Sequence, residues 1–193
     1  MMEDLMIDLE TAGTKPNAPI LSIGAVAFDA TSGKVGGANE DQNKSNEFHQ
    51  RIDLTSAVAG GAVIDPKTFI WWLGQGEAAR SALTSMKSYP ESDVLRHFHN
   101  WILNRFNVQK LHVWGNAPSF DCVILSESMG RNGLTPPWRF WNERDFRTLK
   151  ALYPEIESQH KRAGTHHSAL EDARYQAEVA VKIMQSRDLG DLL

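Results

Sequence analysis

The 193-residue sequence contains one cysteine, Cys122. A single thiol can neither close an internal disulfide nor build a zinc site alone. This excludes a disulfide-stapled secreted scaffold and fits a reducing compartment, the cytoplasm. No apolar run is long enough to span a bilayer, so no membrane role is expected. The opening residues MMEDLMIDLE carry acids at once and lack a basic segment followed by an apolar one, so no secretion signal is expected. Positive charge is also scarce: 20 Lys and Arg stand against 24 Asp and Glu, for a net charge of −4. That excludes a protein that coats nucleic acid through a generally basic surface. It leaves room for an enzyme whose site is itself a cluster of acids, because such a cluster needs divalent cations before a phosphate can approach.

The chain has no internal repeat and no linker-like stretch, and its length suits one domain with a real core. Leu5–Asp8 is a short apolar run that reads as a strand. Ile20–Phe28 is apolar on both faces and reads as a buried central strand, with Glu47–Ile52 as a third. Strands following directly on one another imply an antiparallel start to a mixed sheet. Thr31–Asn46 is rich in Gly, Asn, Ser and charge and reads as a surface loop or hairpin tip. Helices are expected over Phe69–Leu73, with Pro66 in its first turn, and over Glu77–Leu83, Ser92–Phe106, Ser119–Met129, Arg144–Leu152 and Ser168–Gln185. Leu111–Trp114 reads as a further strand. For the last helix, Ser168 and Glu171 match a capping box.

Four places carry chemistry. Asp8 and Glu10 lie two apart on a strand and so project to one side, with Leu9 facing the other. Two adjacent carboxylates repel unless a cation lies between them, which makes a hard-metal site; the plainer alternative is a strand end with solvated acids. Asp121 falls in the first turn of a helix, where a carboxylate also simply stabilises the N-terminus. His167 stands just before the last helix, with a pKa range suited to taking a proton from water, and Asp172 is fixed on the helix; His166 competes for the histidine role. Finally, Phe140–Thr148 offers Trp141, Asn142, Arg144 and Arg147, the side-chain types that stack on a base and grip phosphate, or else core aromatics with an ion pair to Asp145.

Taken in order, Asp-x-Glu, a middle aspartate and His-x-Ala-x-x-Asp resemble the DEDDh branch of the DnaQ-like, RNase H-like exonucleases. Asp8, Glu10, Asp121 and Asp172 match its four acids. His167, not His166, has the five-residue spacing to Asp172 with Ala169 between. The stretches MIDLET-x-G-T-K-P-x-A-P-I-x-S-I-G-A-V, I-x-WWL, VWGN-x-x-x-FD-x-x-IL, FWN-x-x-D-x-RT and H-x-AL-x-DA-x-x-QA are similar to phage and prophage exonucleases of the exodeoxyribonuclease VIII-like label and to the mycobacterial-type 3′-5′ exoribonuclease domain. The likeness covers about residues 4–185, so residues 1–193 are expected to be one exonuclease domain.

The resemblance implies an α/β fold, a mixed central sheet flanked by helices. It implies two Mg2+ or Mn2+ ions held by Asp8, Glu10, Asp121 and Asp172, with His167 as general base and nucleoside 5′-monophosphate as product. It places Leu9 and Thr11 beside the terminal nucleotide of a single strand and allows a homodimer. Phage-like company favours DNA, with an exoribonuclease as the alternative; the two differ in tolerance of a terminal 2′-hydroxyl. A non-catalytic binding module is the alternative of another class, and all five catalytic positions speak against it. The Phe-Ile-Trp-Trp-Leu run containing Trp71 and Trp72 is expected to be core rather than a base-stacking surface. Lys15, Lys161 and Arg162 are candidates to follow the backbone of the strand.

Overall fold

The computed structural model describes residues 2–37, 45–162 and 167–186. The hairpin β1 (Asp4–Thr11) and β2 (Ile20–Asp29) forms the centre of the sheet, as the two apolar runs require. Around it stand β3 (Lys34–Val35), β4 (Glu47–Ile52), β5 (Ser88–Tyr89), β6 (His112–Gly115) and β7 (Glu143–Asp145). The seven-stranded sheet has the order β5-β4-β2-β1-β6-β7, with β3 on β2. β1, β2 and β4 are antiparallel, whereas β6 runs parallel to β1 and β7 parallel to β6. This is the mixed α/β sheet expected.

Alternation along β1 assigns its two faces. Leu5, Ile7 and Leu9 belong to a core closed by α4 (Glu91–Arg105) and α5 (Asp121–Arg131), through Val94, Leu95, Phe98, Ile102, Ile124 and Leu125. Met6 faces the opposite core with Val26, Phe28, Trp114 and Phe146, closed by α8 (Ala169–Ser186). Ala173, Ala177 and Ala180 line the inner side of α8, and their short side chains let the helix lie close on β1 and β2.

Between these lie α1 (Leu54–Ala59), α2 (Pro66–Leu73), α3 (Glu77–Ala82), α6 (Phe146–Ala151) and α7 (Pro154–Gln159). Pro66 opens α2 behind the N-cap Asp65, whose carboxylate accepts from Lys67 N–H at 2.9 Å. The expected helix over 144–152 is instead a short strand, β7, followed by α6. Asp145 ends the strand and caps the helix by accepting from Thr148 N–H at 2.7 Å, so one residue closes one element and opens the next. Helix α5 begins at Asp121, two residues later than the apolar pattern implied. The expected capping box also differs. Glu171 turns to Arg174 (2.7 Å), and Asp172 reaches back to accept from His167 N–H at 3.0 Å. Arg174 also bonds Glu47 on β4 at 2.9 and 3.2 Å, which ties the start of α8 to the sheet. His166 and residues 38–44 of the expected surface loop lie outside the described residues.

Candidate active site

Asp8 and Glu10 continue the Met6 face of β1, so they point toward α8. Just past Glu10 the register with β2 shifts, a bulge that ends regular pairing beside the two acids. Leu9 packs into the other core, yet one edge of it lines the cleft.

Asp121, at the first turn of α5, is buried behind β1, and its Oδ1 accepts from Leu9 N–H at 3.2 Å. The third contribution comes from α8. Asp8 pairs across the hairpin with Gly24, so both face the helix. A Cβ on Gly24 would stand 2.1 Å from the Ala169 carbonyl carbon and 2.3 Å from Leu170 N. Only a glycine here lets the start of α8, with His167 and Asp172, come down over the acids. His167 has φ 62°, the left-handed region that non-glycine residues rarely adopt, and its N–H bond to Asp172 holds it there. Its ring meets those of Trp71 and Trp72 edge-on, with centroids at 5.1 and 5.9 Å.

The result is a cleft of about 690 Å³ lined by Asp8, Glu10, Thr11, Trp71, His167 and Asp172, among others. Ligand atoms of Glu10, His167 and Asp172 lie within 4.8 Å of one another. Burial raises the pKa of Glu10 to about 8, helped by the negative charge of Asp121. Burial likewise pushes Asp121 up to about 7 against the pull of its hydrogen bonds, the one from Leu9 N–H foremost. Asp8 is raised well above the usual carboxylate range by burial first, then by Asp121 and Glu10. A group of acids this reluctant to ionise together is what a divalent cation relieves. The buried carbonyl oxygens Asn116 Oδ1 and Gln176 Oε1, both from cleft-lining residues, have no hydrogen-bond partner among the described residues and suit a hydrated hard cation. The donor set therefore fits the divalent metal that the sequence resemblance implies.

These shifts have a measurable consequence. At pH values where the unfolded chain has released its carboxyl protons, the folded chain still holds them, so folding takes up protons. Stability then falls as pH rises from roughly 5 toward 8. In EDTA, Tm is expected to drop by several degrees over that range. Millimolar Mg2+ should restore most of the loss. A Tm indifferent to both pH and Mg2+ would contradict the arrangement.

The other expected site residues divide. Thr11 lines the cleft, and its carbonyl accepts from Trp72 Nε1 at 2.9 Å. Trp72 is buried as expected, but Trp71 is 46 % exposed and forms part of the cleft wall. Arg162 is also in the cleft, ion-paired with Asp172, whereas Lys15 lies on the exposed loop after Thr14. Arg147 is at the cleft end of the sheet, its N–H donating to Asn116 O at 3.0 Å. Arg144, Trp141 and Asn142 are not brought to the cleft. Arg144 pairs with Trp114 on the edge strand β7, and Trp141 and Asn142 precede β7 at the end away from the cleft, where Asn142 bonds the Gln109 carbonyl at 3.3 Å.

Two residues that matter here were not singled out from sequence. Gln176 Nε2 donates to Asp8 Oδ1 at 2.7 Å and orients that carboxylate. Its position one helical turn after Asp172 was the available signal. Gly24 stands in the quoted S-I-G-A-V stretch, but its role was not readable there because it depends on which helix crosses that strand.

Comparison with known proteins identifies the family and the fold. Residues 3–184 match the family model described as the 3′-5′ exoribonuclease Rv2179c-like domain. An exodeoxyribonuclease of Enterobacteria phage T4 is 29 % identical over 168 residues, covering 78 % of this chain and 72 % of its own. Among solved structures, the nuclease domain of 3′hExo, a DEDDh family member bound to rAMP, superposes with TM-score 0.62 at 14 % identity, covering 96 % of this chain and 93 % of that one. E. coli exonuclease I in complex with a dT13 oligonucleotide gives TM-score 0.59 at 22 % identity, covering 98 % of this chain and 42 % of that one. These two superpositions speak for the fold, and this chain spans about two fifths of exonuclease I. With the family model matching residues 3–184, the chain belongs to the Rv2179c-like family of 3′-5′ exoribonuclease domains.

Proposed function

We propose that the cleft removes nucleotides one at a time from the 3′ end of single-stranded nucleic acid, DNA in preference to RNA, and releases nucleoside 5′-monophosphates. The observation that carries this reading is the convergence of Asp8, Glu10, His167 and Asp172 in one cleft, with Asp121 buried behind them. Asp8, Glu10, Asp121 and Asp172 would hold two divalent cations, Mg2+ or Mn2+. Such ions, when bound, lower the pKa of a water and stabilise the leaving oxygen.

The chain's own residues do the rest. Gln176 fixes Asp8, and the Leu9 N–H fixes Asp121, so two of the carboxylates are oriented before substrate arrives. His167, held on the strained turn before α8, takes the proton of the attacking water. Its ring lies against Trp71 and Trp72, which exclude bulk water from one side of it. Leu9, Thr11 and Trp71 form the wall against which the terminal nucleotide rests. Arg147, exposed at the cleft mouth, is placed to meet backbone phosphate. The free thiol of Cys122 is buried in the core, which is in keeping with work in a reducing cytoplasm.

His167→Ala is expected to lower kcat/KM by roughly a hundredfold to ten-thousandfold, the usual range for a general base. Binding of a nucleoside monophosphate with Mg2+ should hold within a few-fold. Equal loss in both would make His167 a structural residue only.

Matched DNA and RNA oligonucleotides test the sugar preference. Faster release of deoxynucleoside 5′-monophosphates supports the proposal. Faster trimming of RNA would favour the second reading, an exoribonuclease, for which the matching family description is the argument.

A further inference from the structure

The cleft leaves part of the sequence motif around Trp141 without a task. Phe140 and Trp141 are 76 % and 61 % exposed, and neither contributes to the core. They sit on a 3-10 turn (Phe140–Asn142) that leads into β7, the strand at one edge of the sheet. From the register of β1, β6 and β7, this turn lies roughly 15 Å along the strands from Asp8.

The pair is held in a defined geometry. The two rings meet at 79° with centroids 5.0 Å apart. The Arg139 guanidinium lies 5.6 Å from the Trp141 ring, and its Nε and Nη2 both donate to Gln109 Oε1, at 3.2 and 3.1 Å. Between this turn and the cleft mouth stand half-buried Arg144 on β7, whose Nη1 donates to the Trp141 and Glu143 carbonyls at 3.1 Å, and then exposed Arg147 in the first turn of α6. The acids on the same edge are occupied within the fold. Glu143 accepts from Trp138 Nε1 at 3.0 Å, and Asp145 caps α6. In a chain of net charge −4, Arg139, Arg144 and Arg147 outnumber Glu143 and Asp145 along this edge, which joins the cleft to two exposed aromatic rings.

We propose that this edge is a second contact for the substrate. A single strand whose 3′ end lies in the cleft runs past Arg147 and Arg144 and stacks upstream bases on Phe140 and Trp141. The inference rests on the exonuclease reading of the cleft. Rings offer π-faces to any base, and guanidinium groups track the phosphates, so the contact is insensitive to sequence and favours long strands over short ones. The continuity of the arginines from the rings to the cleft mouth, where they complement the phosphates of a bound strand, is what favours the substrate over a second copy of the chain.

The test uses the double variant Arg139→Gln/Phe140→Ala, both positions being exposed and outside the core. Fluorescence anisotropy, in an Asp8→Asn background that leaves the strands intact, would compare single strands of about 4 and about 12 nucleotides, within the span of known single-strand sites. In parallel, dinucleotide hydrolysis would be measured with Asp8 present. The proposal expects affinity for the long strand to fall roughly tenfold, while short-strand affinity and dinucleotide hydrolysis hold. Equal affinities for variant and parent on the long strand would overturn it. So would an unchanged long-strand affinity together with a shift from dimer to monomer in sedimentation, which would give the patch to a second copy. If the parent chain hydrolysed neither dinucleotide nor strand, the failure would lie with the reading of the cleft.

Discussion

Asp8→Asn is expected to abolish 3′-end hydrolysis, by a thousandfold or more on the scale set by losing a metal-bridging carboxylate, while making the protein more stable in EDTA at pH 8. The two effects share one cause. Asp8 is held between Asp121 and Glu10, and its charge is unfavourable there for burial and for repulsion. An asparagine has the same shape and can still accept from Gln176 Nε2, so packing is retained. Removing the charge should raise Tm by a few degrees at pH 8. The gain should shrink as pH is lowered toward 5, because protonation of the raised parent carboxyl removes the same charge. The variant should also lose most of the Mg2+-induced rise in Tm. Scanning calorimetry of parent and variant at both pH values, with and without Mg2+, checks all three statements. A folded variant that keeps hydrolysing, or that still gains the full Mg2+ stabilisation, would remove Asp8 from the site.

Gly24→Ala should damage both stability and turnover, although residue 24 touches no substrate. The added methyl would meet the backbone of Ala169 and Leu170, with the nearest atom at 2.1 Å. Backbone cannot swing aside as a flexible side chain can, so the start of α8 must lift from the sheet. Overpacking of this kind costs roughly 1–3 kcal/mol. Because His167 and Asp172 ride on that end of α8, a displacement near 1 Å should lower kcat on the order of a hundredfold. Gly130→Ala is the control. Gly130 lies within α5, where an added Cβ meets nothing within 4 Å, so that variant should be neutral or stabilised by up to about 1 kcal/mol. Denaturant melts with single-turnover rates for both variants decide the point. Equal behaviour of the two glycine variants would contradict the close-approach argument.

How much of this was legible in the sequence follows from which interactions are local. The apolar runs of β1, β2 and β4 and the helical stripes of α4 and α8 are properties of neighbouring residues, and the structure forms these elements within a few residues of the expected bounds. The face shared by Asp8 and Glu10 follows from strand alternation alone. The start of α8 was readable too, but the choice of capping acid was not. Glu171 and Asp172 both lie near the helix start, and the ion pairs of Arg174 with Glu47 and Glu171 decide between them. The pair with Glu47 joins residues 127 apart in sequence, which no local pattern reveals. The same holds for Trp71, whose apolar neighbours implied core. Its exposure depends on how α2 lies across the cleft mouth. Arg147 and Trp141 looked like one substrate-gripping segment, yet β7 is extended and carries them toward opposite ends of the sheet. A strand separates side chains by more than 3 Å per residue, about twice the rise of the helix expected there.

The most direct test of the account is gel-resolved digestion of a 5′-labelled single-stranded DNA oligonucleotide by the parent chain and by Asp8→Asn, each with Mg2+ and with EDTA. The account predicts a ladder that shortens from the 3′ end one nucleotide at a time, seen only for the parent chain with Mg2+. No ladder on DNA or on a matched RNA, or a ladder that persists in EDTA or in Asp8→Asn, would contradict it.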